Sequence, residues 1–267
     1  MRWDSVRARG NGLGLFVRRV VEPVAPPVLL VHGLGVSSSV MQPFARRLLP
    51  ELAAVTPDLP GHGQSDAPPD GYSPSDYATD LAELIGDLQL QAPVAYIGHS
   101  LGALVGLSLA ELRPALVRWL VLLDPPLDPA QPNREVPEVY RLRKGQPGEL
   151  ERYLLERNPG GGELLAQTLA REFRQASDAA FESMLNAPTY TVRPLATRVL
   201  ILQADPSRGG VLGDQAAATA AHTLGNATFV KINGATHALH ASHPAEVATA
   251  IREFAARHSS EGVSSSR

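Results

Sequence analysis

Val94-Ala95-Tyr96-Ile97-Gly98-His99-Ser100-Leu101-Gly102-Ala103-Leu104-Val105-Gly106-Leu107 passes from a short apolar run through Gly-x-Ser-x-Gly directly into a helix-patterned stretch. A serine on so sharp a strand-to-helix turn takes a strained backbone conformation. Glycines two before and two after it are required because a Cβ at either place would collide across the turn. The turn pushes the Ser100 hydroxyl out of the sheet. The helix that starts there aims its free N–H groups and the positive end of its dipole at the same spot, where an oxyanion could be held.

Outward from this turn, short β-branched runs alternate with longer helix-patterned stretches, the mark of a mainly parallel sheet covered on both faces. Strands are expected near Leu13–Val20, Val28–Val31, Ala53–Pro57, Val94–Ile97, Trp119–Leu123, Val199–Gln203 and Thr228–Ile232. Helices are expected near Ser38–Leu49, Ser75–Leu88, Leu101–Arg113, Asp214–Leu224 and Pro244–Arg257. The last has proline at its first turn and apolar Val247, Ala250, Ile251 and Phe254 at three-to-four spacing, so one face should pack on the sheet.

Between Asp124 and Thr197 the alternation stops. Residues 125–194 carry helical patterns without a strand, opened by Asp124-Pro125-Pro126 and interrupted by Asn158-Pro159-Gly160-Gly161-Gly162. They are expected to form a helical insertion whose ten acidic and nine basic residues nearly balance. The Ser-rich tail 259–267 is expected to be disordered.

Composition narrows the function classes. The 267 residues are 44% hydrophobic and 19% charged, ordinary globular usage. A net charge of −3 gives no footprint for a phosphate backbone or an anionic membrane, although 22 of the 24 basic residues are arginine. With no cysteine, thiolate nucleophiles, disulfides and Cys-ligated metal sites are excluded. The N-terminus lacks the apolar stretch of a secretory signal, and no apolar run reaches the roughly 18 residues of a membrane span. A cytoplasmic protein with a small-molecule partner, binding neither nucleic acid nor membrane, is expected. No Walker lysine loop, no Gly-x-Gly-x-x-Gly after the first strand and no His-Glu-x-x-His occur, so neither cofactor nor metal is expected.

Taken with its flanks, the Ser100 turn resembles the nucleophile elbow of the serine-nucleophile members of the α/β-hydrolase family, and the resemblance extends from Leu13 to about Arg257. Three further segments support it. Val28-Leu29-Leu30-Val31-His32-Gly33-Leu34-Gly35 is similar to the family's His-Gly-x-Gly loop, and Asp58-Leu59-Pro60-Gly61-His62-Gly63-Gln64-Ser65 to a structural turn of that family. Ile232-Asn233-Gly234-Ala235-Thr236-His237 resembles its histidine loop.

The resemblance implies a mostly parallel eight-stranded sheet with helices on both faces. Residues 1–124 and 195–258 would form the core and 125–194 a helical cap. It also implies site roles: Ser100 as nucleophile, His237 as base, and the backbone N–H groups of Leu34 and Leu101 as an oxyanion hole, with Gly33, Gly98 and Gly102 shaping the turns. His32 and His99 would be hydrogen-bonding neighbours, and His240 and His243 are alternatives to His237 only by proximity.

The third member should be an acid between serine and histidine in chain order. Asp205, the first acid after Val199–Gln203, is the first choice, although alanine stands where relatives more often have glycine. Asp124, at the end of the preceding strand, is the runner-up, and Asp214 is a further candidate.

The expected reaction is hydrolysis of a small carboxylic ester through an acyl-enzyme. Cleavage of a C–C bond in a dienoic diketone is an alternative that would draw on polar groups such as Arg141, Arg143, Arg171 and Arg174. A non-catalytic small-molecule-binding member of the same fold is another. Serine at the elbow argues against the aspartate-nucleophile dehalogenases and epoxide hydrolases of this fold, and the long insertion argues against cofactor-free perhydrolases.

Overall fold

The computed structural model describes residues 2–21, 23, 25–130, 135–158 and 160–258. The expected disordered tail lies outside them. One sheet holds eight strands: β1 (Trp3–Gly10), β2 (Leu13–Val20), β3 (Pro27–Val31), β4 (Ala53–Pro57), β5 (Val94–His99), β6 (Val117–Leu123), β7 (Arg198–Gln203) and β8 (Ala227–Lys231). Their order is β1-β2-β4-β3-β5-β6-β7-β8. β2 runs antiparallel to both β1 and β4, and the remaining neighbours are parallel.

The helices between strands are α1 (Ser38–Leu48), α2 (Pro74–Asp87) and α3 (Leu101–Leu112). The insertion follows with α4 (Val136–Arg143), α5 (Glu149–Arg157), α6 (Gly162–Gln175) and α7 (Asp178–Asn186). The chain ends with α8 (Asp214–Leu224), the short α9 (Leu239–Ser242) and α10 (Pro244–His258).

Alternation along the central strands builds two cores. In β3, Leu29 and Val31 join one apolar cluster while Val28 and Leu30 join the other. In β6, Leu120 and Leu122 point to the first and Trp119, Val121 and Leu123 to the second. The first cluster is closed by Tyr77 and Leu81 of α2, much of α3 and Ala217 of α8. The second is closed by Met41 and Phe44 of α1 and by Ile251 and Phe254 of α10. Because both faces are covered, the parallel strands read as unbroken apolar runs, and α3, packed on nearly all sides, is buried from Leu101 to Ala110.

Trp3–Gly10 is a strand that the sequence pattern did not announce. It is one edge of the sheet, leaves Arg7 and Arg9 exposed, and buries only Ala8 and Gly10. Charges on an edge strand discourage pairing with other chains, and they also hide its period.

Parallel strands share a carboxyl edge, so the segments following β3, β5, β6, β7 and β8 emerge together, the place where open α/β sheets gather their ligands. The four insertion helices are fastened there. Val139, Ala176 and Phe181 pack against Leu34 of the β3–α1 loop. The Glu172 carboxylate of α6 accepts hydrogen bonds from the Ser37 amide (2.9 Å), the Ser37 hydroxyl (3.1 Å) and the Ser39 hydroxyl at the start of α1. The Ser177 amide donates to the Gly61 carbonyl at 2.7 Å.

Candidate active site

Ser100 has φ 51° and ψ −115°, a backbone conformation that a side chain with a Cβ rarely adopts. The strain is held in place from both sides. The Ser100 amide donates to the Leu123 carbonyl of β6 at 3.0 Å, and its own carbonyl accepts from Ala103 at 2.9 Å. A Cβ on Gly98 would stand 2.2 Å from the Gly102 carbonyl oxygen, and one on Gly102 2.5 Å from that of Val31, so both glycines are demanded by close backbone approach. Leu101 is the first residue of α3, and its amide therefore has no intrahelical acceptor.

His237 follows β8 and meets a carboxylate: its Nδ1 lies 2.7 Å from Oδ2 of Asp124. An ionised carboxylate only accepts, so Nδ1 carries the proton and Nε2 is left as the acceptor. Asp124 is fully buried at the end of β6, with φ 44°. Its Oδ1 accepts from the Ala204 amide (3.2 Å), and its Oδ2 also accepts from the Val211 amide (2.9 Å). Burial alone would lower the His237 pKa. The hydrogen bond and the charge of Asp124 outweigh it and leave the imidazole above its usual 6.5.

Here the structure corrects the expected pairing. Asp205 does not face His237. Its Oδ1 accepts from the Ser207 amide (3.0 Å) and hydroxyl (2.8 Å) and its Oδ2 from the Gly234 amide (2.9 Å), which together hold its carboxyl at about 2. It therefore braces the turn after β7 against the loop that carries His237. Asp214 is engaged by Gln203 and Lys231. Both strand ends offer an aspartate, and β6, the direct neighbour of β5, supplies the one that reaches the histidine.

His32, His99 and His240 are buried around these groups. His32 uses both nitrogens: Nδ1–H donates to the Gly33 carbonyl (2.7 Å), and Nε2 accepts from the Leu59 amide (2.9 Å). It thus joins the β3 loop to the turn after β4. His99 Nε2–H donates to the His237 backbone carbonyl at 3.0 Å, and its ring stands 4.7 Å from those of His237 and His240. Burial first, and the neighbouring imidazoles next, keep His99 well below its usual range; His240, burdened the same way, falls to about 4. His243 Nδ1 lies 3.2 Å from the hydroxyl of the adjacent Ser242. Asp58, in the turn after β4, accepts from the Ser38 amide (2.8 Å) and the Gln64 amide (2.8 Å), a bracing arrangement.

Ser100, His237, Gly33 and Leu34 line one cavity of about 190 Å³, roofed by the insertion helices through Val139, Leu169, Phe173 and Phe181. The four arginines considered beforehand stay out of it. Arg143 is buried on the Phe173 and Ala176 carbonyls and on Asp178, while Arg141 pairs with Glu138 and Arg174 with Glu151. Arg157 and Arg208 line the cavity instead. No sequence periodicity could single them out, because one ends a helix and the other sits in a turn.

A strained serine at a strand-to-helix elbow, set on one cavity with a carboxylate-bonded histidine at the carboxyl edge of a mainly parallel sheet, defines the α/β-hydrolase architecture. Residues 28–250 match the model of the alpha/beta hydrolase family, and the chain belongs to that family.

Among curated relatives, 2-(acetamidomethylene)succinate hydrolase of Mesorhizobium japonicum is 39% identical over 122 residues, 45% of this chain and 44% of the relative. Lipase LipV of Mycobacterium tuberculosis is 35% identical over 140 residues, 52% of this chain and 51% of the relative. The chain spans about half or less of the length of the curated relatives it matches. Among solved structures, a thermophilic esterase from Thermogutta terrifontis superposes with a TM-score of 0.79 at 23% identity, covering 96% of this chain and 99% of the other. E-2-(acetamidomethylene)succinate hydrolase gives 0.76 at 25% identity, covering 95% and 99%.

Proposed function

We propose that this protein is a serine hydrolase acting on small carboxylic esters through an acyl-enzyme. One observation carries the reading: His237, held by the buried carboxylate of Asp124 at 2.7 Å, and the strained Ser100 open on one cavity. In this reading His237 Nε2 takes the Ser100 proton as Oγ attacks the carbonyl carbon. The amides of Leu34 and Leu101 receive the oxyanion. The protonated imidazole then passes its proton to the departing alkoxide. Water, deprotonated by the same nitrogen, attacks the acyl-enzyme, and collapse returns the proton to Ser100 and frees the acid.

Asp124 takes the place first given to Asp205: it fixes the tautomer of His237 and stabilises its charged form. The two oxyanion donors are backbone groups, each worth on the order of 10²–10³ in rate. Residues 125–194 act as a cap over the acyl site. The esterase and lipase relatives support ester chemistry, and the retained serine, histidine and acid argue against a purely binding role.

The test is labelling by a fluorophosphonate probe, followed by a panel of p-nitrophenyl esters of increasing acyl length. Wild-type protein is expected to label and to turn over short-chain esters, with Ser100→Ala blank in both assays. Failure of folded wild-type protein to label while a serine esterase labels in parallel would overturn the reading.

A further inference from the structure

Beyond the reacting groups, the cavity wall, which is mostly apolar, carries three charged side chains. Arg157, at the end of α5, and Arg208, in the turn after β7, both line it, as does Glu135 just before α4. Arg157 is ion-paired to Glu135, and its guanidinium lies 5.1 Å from the centre of the Tyr153 ring. A ring face beneath a guanidinium limits how it can turn and leaves its edge free to present a fork of N–H donors.

Gly209 brings the two arginine-bearing segments close, since a Cβ there would stand 3.1 Å from Nη1 of Arg157. Arg208 has no carboxylate partner among the described residues. Two guanidinium groups against one carboxylate leave an excess of one positive charge. The Glu135–Arg157 pair lines the same cavity as Ser100 and His237, and each member acts on the charge of His237. An apolar ester needs no cation in its binding wall; Arg157 is half-buried and Arg208 exposed while lining the cavity, so each guanidinium can offer a charge-assisted contact to an anion there without a desolvation penalty of its own.

We propose that these charged side chains form a carboxylate subsite, and that the preferred substrates are esters whose acyl part carries a second, free carboxylate a few carbons from the scissile carbonyl. The inference rests on the serine hydrolase reading. Arg208 supplies the unneutralised cation and Arg157 a donor fork shared between Glu135 and the substrate, so Glu135 competes with the anion for Arg157 and weakens its binding. The chemistry is the ester hydrolysis already described. Water adds across the acyl–oxygen bond, giving the alcohol and a dicarboxylate, and the distant carboxylate takes no part in bond making.

The test compares mono-(4-nitrophenyl) glutarate with its neutral counterpart, 4-nitrophenyl methyl glutarate, as kcat/KM in low salt. Wild-type protein is expected to favour the anionic ester by about tenfold or more, the effect of one charge-assisted contact. In Arg208→Gln and Arg157→Gln the ratio should fall towards one through KM, and in Glu135→Gln it should rise. A ratio at or below one in wild-type protein that cleaves the neutral ester overturns the subsite and leaves the hydrolase standing. Blank rates on both esters together with failure of fluorophosphonate labelling would strike the hydrolase reading instead. In that event calorimetric titration of glutarate into folded Ser100→Ala protein still decides the subsite: binding that weakens in the Ser100→Ala/Arg208→Gln double variant supports it, and binding that is absent or unaffected overturns it.

Discussion

Asp124 and His237 stand 113 residues apart in the chain, yet Oδ2 of the first lies 2.7 Å from Nδ1 of the second. Two backbone amides, of Ala204 and Val211, hold the carboxylate from its other sides, so it cannot swing away from the imidazole. Asp205, the other acid at this edge, is consumed by its own turn.

The two aspartates should therefore separate cleanly under substitution. Asp124→Asn keeps the shape but can no longer hold the required tautomer, and kcat/KM on a p-nitrophenyl ester should fall about 10³–10⁴-fold. Asp205→Asn loosens the histidine loop and should cost no more than about tenfold. Steady-state kinetics on the two variants check this; a larger loss in Asp205→Asn would reverse the assignment.

A second expectation concerns the acid limb of the rate profile. The base must be neutral to accept a proton. Since Asp124 holds the His237 pKa above 6.5, kcat/KM should rise with pH through a midpoint above that value. Removing the carboxylate leaves burial as the main influence, so the residual activity of Asp124→Asn should show its limb displaced to lower pH. An unchanged midpoint in that variant would mean that the limb belongs to another group.

Stability should follow the remaining histidines. His32, His62, His99 and His240 are buried with lowered pKa values, about 3 for His62 and about 4 for His240, and burial is the leading cause in each case. Below about 6.5 the unfolded chain binds protons that the folded chain refuses, so the stability these four contribute, present above 6.5, is lost as pH falls towards 3–4. His237, shifted upward, acts in the opposite sense: its contribution is present below 6.5 and disappears as pH rises through its folded value. Four against one gives a net loss on acidification. Urea midpoints at pH 7 and pH 5 measure it, and equal midpoints would count against neutral buried imidazoles.

What could be read from the chain follows from what physics leaves visible. Strands covered on both faces advertise themselves as apolar runs, and the strand-to-helix turn at Ser100 leaves glycines that nothing else explains. β1 hid behind the arginines of an exposed edge. The acid was ambiguous because an aspartate follows within two residues of the end of both β6 and β7, and both satisfy the order Ser, Asp, His. Only the pairing of β6 beside β5, a long-range relationship, separates them. Arg157 and Arg208 were invisible for a similar reason: where a long side chain at a helix end or in a turn will lie is decided by the surface it meets.

The elbow glycines offer a test of packing rather than chemistry. In Gly98→Ala the new methyl would meet the Gly102 carbonyl at 2.2 Å, and in Gly102→Ala it would meet the Val31 and His32 carbonyls at 2.5 and 2.6 Å. These neighbours are backbone of β3 and α3 and cannot rotate aside. Each variant should lose at least about 3 kcal/mol in chemical denaturation, while Gly86→Ala, on the open face of α2 with nothing within 4 Å, should be neutral or slightly stabilising.

Glu172 couples the insertion to the core. Its carboxylate receives the Ser37 amide and the hydroxyls of Ser37 and Ser39, where α1 starts and its orphan N–H groups and dipole favour a negative charge. The neighbouring Phe173 lines the cavity, so slackening this tie should move the cavity's roof as well as weaken α1. Glu172→Gln removes the charge while keeping much of the shape. A loss of about 1–2 kcal/mol is expected, the range of a lost cap with charge-assisted bonds. KM for the longer acyl chains should rise more than kcat falls, and limited proteolysis should cut first within residues 136–186. Proteolysis and KM identical to wild type would show that α4–α7 are held by their other ties to the core, the packing of Ala180, Met184 and Phe181 and the Ser177–Gly61 hydrogen bond, without help from Glu172.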